Sequence, residues 1–98
     1  MASTMVNLPD IGRIMLIKDL LRDLNFEEGG GSSSVVAGVL ARLPLVHIMF
    51  DTDTFVLTIV FEPLLTVEQA FTLAIELNPD QGSIEEKDGK TVVKMWWD

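Results

Sequence analysis

Ile14, Leu16, Ile17, Leu20, Leu21 and Leu24 fall on one side of a helical wheel, with Lys18, Asp19, Arg22 and Asp23 on the other. That spacing predicts an amphipathic helix lying on a core. Leu8-Pro9-Asp10 suits its start, because proline is tolerated in a first helical turn and a carboxylate favours the positive end of the helix dipole. The pattern runs out near Asn25. Next comes Glu27-Glu28-Gly29-Gly30-Gly31-Ser32-Ser33-Ser34, read as a flexible loop over 29–34. Phosphate binding fits this run poorly: it lacks a P-loop lysine, and Glu27 and Glu28 repel an anion.

Residues 35–43 carry two patterns at once. Val35, Val36, Val39, Leu40 and Leu43 recur at helical spacing, with Ser34 as a candidate N-cap and Pro44 as a stop. Val35, Ala37, Val39, Ala41 and Leu43 alternate as a strand would. Periodicity alone favours the helix.

From Leu45 onward the period is two. Residues 45–50 and 55–61 are rich in β-branched and aromatic side chains, and Asp51-Thr52-Asp53-Thr54 between them supplies turn chemistry. This is an antiparallel hairpin whose second strand turns Phe55, Leu57, Ile59 and Phe61 to the core. After Glu62-Pro63, Thr66 and Gln69 hold the spacing of a capping box, opening a helix that stops at Asn78-Pro79. Asp88-Gly89 between two strand-like runs is a type I′ hairpin signal. It pairs Ile84 with Val93 and Glu86 with Thr91, and sets Thr91, Val93, Met95 and Trp97 on one face and Val92, Lys94 and Trp96 on the other.

The helix over 66–77 is apolar over too wide an arc. Val67, Ala70, Phe71, Leu73, Ala74, Ile75 and Leu77 leave only Glu68, Gln69, Thr72 and Glu76 on the polar side, whereas a surface helix needs a stripe only a little over ~100° wide. Leu73 and Leu77 can pack on the sheet. Phe71 and Ile75 then require the first helix or a second subunit to cover them.

Composition narrows the function. The chain of 98 residues is 48% hydrophobic and 22% charged, the balance of one globular domain over residues 1–98. Its 15 acidic residues outnumber 7 basic ones, for a net charge of −8. Nucleic acid and anionic membrane are therefore not expected partners, since both are held by clustered lysine and arginine. Cysteine is absent and His47 is the only histidine, which removes disulfides, thiolate catalysis and the Cys- and His-rich metal motifs. Residues 1–7 lack the basic and apolar regions of a signal peptide, and no apolar run approaches the ~20 residues of a membrane helix. A cytoplasmic or virion-interior protein is expected.

Candidate chemistry is thin. Asp51 and Asp53 have the spacing of a metal clip, but aspartates in tight turns bond their own backbone. Glu85 and Glu86, adjacent on a strand, point to opposite faces and cannot act as a carboxylate pair. His47 has only Asp51 near it on its strand face. No nucleophile, base and oxyanion donor assemble. No enzyme activity, metal or cofactor is expected.

The order of elements resembles the type III secretion chaperone fold and, more closely, the YbjN-type family of bacterial proteins. The resemblance lies in Ile17-Lys18-Asp19-Leu20-Leu21-Arg22-Asp23-Leu24 running into Asn25-Phe26-Glu27-Glu28, in the second helix ending at Leu77-Asn78, and in Glu86-Lys87-Asp88-Gly89-Lys90-Thr91-Val92-Val93. The Gly/Ser run is not typical of that family. The resemblance implies that residues 35–43 form a strand, and that the protein is a small acidic homodimer binding other polypeptides without doing chemistry.

The expectation is thus an α+β domain, an antiparallel sheet with two helices in the order α-(β)-β-β-α-β-β. It is expected to be a chaperone-like or adaptor homodimer with a protein or peptide partner. Val67, Phe71, Ala74, Ile75 and Trp96 are the candidate interface residues. A small-ligand regulatory module and an acidic mimic of nucleic acid are the alternatives.

Overall fold

The computed structural model describes residues 7–97. Residues 1–6, which bear on a leader, and Asp98 lie outside the described residues. Helix α1 (Asn7–Asp23) is followed by a 3-10 turn (Phe26–Gly29), helix α2 (Ser33–Leu40), strands β1 (Leu45–Asp51) and β2 (Val56–Phe61), helix α3 (Val67–Leu77) and strands β3 (Gln81–Lys87) and β4 (Lys90–Trp96). The strands form one antiparallel sheet in the order β1-β2-β4-β3. The fold class is α+β, as the patterning predicts.

One face of the sheet carries the core. Leu57, Ile59 and Phe61 are fully buried, and register sets them beside Ile48 and Phe50 of β1 and Thr91, Val93 and Met95 of β4. Ile17 and Leu21 of α1, Val36 and Leu40 of α2, and Leu73 and Leu77 of α3 join the same cluster. Thr91 is the buried polar group on that face; its hydroxyl accepts the Leu65 N–H at 2.9 Å, which ties the loop before α3 to the sheet. Val56, Thr58, Val60, Val92 and Trp96 on the other face stay half-buried, and Lys94 is exposed.

Residues 35–43 are a helix for most of their length, not the strand that the resemblance asks for. Ser32, rather than Ser34, is the N-cap, with its hydroxyl accepting the Val35 N–H at 3.3 Å. The helical set Val36, Val39 and Leu40 is buried, whereas Val35, which alternation would turn inward, is 51% exposed. Three helices therefore line the described core instead of two.

The Gly/Ser run is shorter as a connector than its composition suggests. Ser33 and Ser34 belong to α2, and Gly29 closes the 3-10 turn. Ser33 is buried and donates both its hydroxyl (2.6 Å) and its backbone N–H (3.2 Å) to one carboxylate oxygen of Glu27. These bonds draw the Glu27 pKa below its ordinary value, the Ser33 hydroxyl first and its backbone N–H second.

Three apolar residues, Leu16, Leu20 and Phe55, leave the faces their periodicity assigned and are exposed. Phe55 lies in the turn before β2 with φ of 58°, rather than on the core face of the strand. Leu16 is 72% exposed because α1 turns its Ile17 and Leu21 side to α2. No helix among the described residues is long and apolar enough to cross a membrane.

Candidate interaction face on the third helix

Helix α3 is closely specified at both ends. Thr66 Oγ1 accepts the Gln69 N–H at 3.1 Å and Gln69 Oε1 accepts the Thr66 N–H at 3.0 Å, the reciprocal pair of a capping box. Asn78 ends the helix in the left-handed region, with its N–H on the Ala74 carbonyl. Leu73 and Leu77 anchor it in the core.

The first helix does not cover the rest of α3. Helix α2 touches both α1 and α3 and occupies the position beside α3. Val67, Phe71 and Ile75 remain 75%, 63% and 73% exposed, each one helical turn from the next, and Ala74 is exposed beside them. Between this flank and β3 lies a cleft of about 220 Å³ lined by Leu73, Ala74, Pro79, Gly82 and Ile84. Ala74 and Gly82 keep it open because neither carries a long side chain.

Among the candidate interface residues, Val67, Phe71, Ala74 and Ile75 share α3. Trp96 does not join them. It pairs with Gln81 and alternates with Met95, so it lies on the face of the sheet away from α3. Its neighbour Trp97 turns inward, setting its ring edge-to-face on Phe26 with centroids 5.4 Å apart. Gly82, Ile84 and Glu86 are not among the candidate interface residues, yet the hairpin register already contains their placement. Ile84 opposite Val93 has to stand on the helix side, and Gly82 and Glu86 follow by alternation.

No protein-family model, curated protein or solved structure matches the chain.

Among the described residues the titratable groups do not gather as metal ligands would. Asp51 Oδ1 accepts the N–H of Asp53 at 2.8 Å and that of Thr54 at 3.4 Å, so this carboxylate is occupied in stabilising its own turn. His47 is exposed on edge strand β1, opposite Val60.

Proposed function

We propose that the protein is a non-enzymatic protein–protein interaction module, chaperone-like or adaptor in kind and cytoplasmic, whose contact surface is the apolar flank of α3. The observation that carries this reading is the row Val67, Phe71 and Ile75, large side chains left mostly in water on a helix that is capped at both ends and anchored by Leu73 and Leu77. Large apolar groups clustered on a surface mark contact sites. Burying Phe71 and Ile75 is worth roughly 3–6 kcal/mol together, comparable to the stability margin of a small domain.

A homodimer is the second reading. It is favoured by the form of the flank, a single helical stripe that a two-fold axis sets against its own copy. A photo-crosslinking residue placed at position 71 in the producing cells tests both. It is expected to capture protein, while the same residue at position 94, on the far side of the sheet, captures none. Failure of position 71 to cross-link to any polypeptide would sink the interaction reading. The mass of the captured species tells a second copy from another chain.

A further inference from the structure

The charge around the α3 flank is one-sided. Between residues 67 and 88 the acids are Glu68, Glu76, Asp80, Glu85, Glu86 and Asp88, and the only base is Lys87. Strand alternation sharpens the asymmetry. Lys87 pairs with Lys90, and both share the far face of the sheet with Glu85, Lys94 and Trp96. Glu86 stands on the helix side with Ile84 and Gly82, next to the cleft. Glu68, exposed on α3, is three residues before Phe71 and so adjacent to it on the helix surface. Arg42, just after α2, is bound to Glu76 at 3.3 Å and shares with Glu68 the hollow on the α2 side of α3, so Glu68 borders the apolar ridge on the side away from the cleft.

From this arrangement, and resting on the interaction reading above, we propose that the α3–β3 cleft docks a basic amphipathic helix of another polypeptide. Val67, Phe71 and Ile75 form a ridge at four-residue spacing, and the cleft beside it is the groove that the apolar side of a partner helix fills. One of its apolar side chains enters the space between Ala74 and Ile84. Lysine or arginine on its flanks meets Glu68 on one side and Glu86 on the other. A second copy fits this rim less well, since a two-fold pairing brings acid against acid around the apolar centre.

The probes are synthetic peptides of one leucine–lysine composition, one with leucines at i, i+3, i+4 and i+7 and one scrambled, plus an amphipathic peptide with glutamate for lysine. They are titrated into the full chain by calorimetry and followed by amide chemical shifts. The amphipathic lysine peptide is expected to bind and to shift Phe71, Ile75, Ile84 and Glu86, whereas the other two do not. Combined Glu68→Lys and Glu86→Lys should weaken it about tenfold or more, as reversal of complementary charge does. Ala74→Leu, which fills the cleft, should do the same, and Lys94→Glu should change little; circular dichroism confirms that each variant is folded. Equal binding of the scrambled peptide, shifts on another surface, or indifference to charge reversal would overturn the proposal. A dimer in light scattering that Phe71→Ser dissociates would also overturn it while leaving the interaction reading standing. A monomer that binds no peptide overturns it too, and the cross-link at position 71 then judges the broader reading separately.

Discussion

Trp97 donates its indole N–H to the Leu77 carbonyl at 2.9 Å. That carbonyl belongs to the last turn of α3, where no intrahelical donor remains, so the bond joins the end of β4 to the end of the helix that bears the candidate face. With its ring also set on Phe26, Trp97 couples the sheet, α3 and the 3-10 turn.

Trp97→Phe keeps most of the ring contact and removes the donor. The expected loss is about 1–2 kcal/mol, the usual cost of leaving a partly buried carbonyl without its partner. Urea denaturation measures it. A change within ~0.5 kcal/mol would mean that water replaces the indole without penalty.

Glu27 supplies a pH dependence of stability. The folded chain favours its ionised form through the two Ser33 bonds, so its folded pKa lies below the unfolded one. The contribution is therefore present above the unfolded value and is lost as pH falls through the folded value. Thermal melts of the wild type and Glu27→Gln across the acid range should converge below the ordinary glutamate range and separate above it. Parallel curves throughout would contradict the assignment.

Gly31→Ala should destabilise the fold by about 1–3 kcal/mol, as overpacking does. A Cβ at this position would collide with the Phe26 ring. Phe26 cannot easily retreat, being buried and held edge-on by both Phe50 and Trp97. Gly38→Ala is the control, since a Cβ there meets nothing within 4 Å and alanine favours a helix interior by roughly 0.5–1 kcal/mol. Equal melting temperatures for the two variants would refute the packing argument.

Thr66→Ala should cost about 1 kcal/mol through the lost cap. Because Thr66 and Gln69 satisfy each other, the double variant with Gln69→Ala should cost less than the two single losses added. Simple additivity in chemical denaturation would show that the two bonds act independently.

Several features were legible because neighbours in sequence decide them. The Thr66–Gln69 capping box, the Asp51 turn and the stop at Asn78 each close within four residues, and all form as read. Asp88-Gly89 also set a whole register. Both residues adopt positive φ, 53° and 77°, and Ile84 opposite Val93 and Glu86 opposite Thr91 follow from that turn. The apolar excess of α3 was likewise visible in its residues alone.

Tertiary structure decided what local patterns leave degenerate. Residues 35–43 satisfy two periods, and the choice of helix depended on a Ser32 cap and on a core that receives Val36, Val39 and Leu40 together. Leu16 and Phe55 are as apolar as their buried neighbours, and only the direction of α1 and the extent of the β1–β2 turn left them exposed. The same holds for the candidate face. Seven apolar residues on α3 do not say which will be covered, nor that Trp96 is separated from them by the sheet; that followed from strand order and from α2 taking the place beside α3. Hydrogen bonds across a turn are settled by the residues that make it, while burial depends on which distant segment arrives, and a short apolar run is compatible with several.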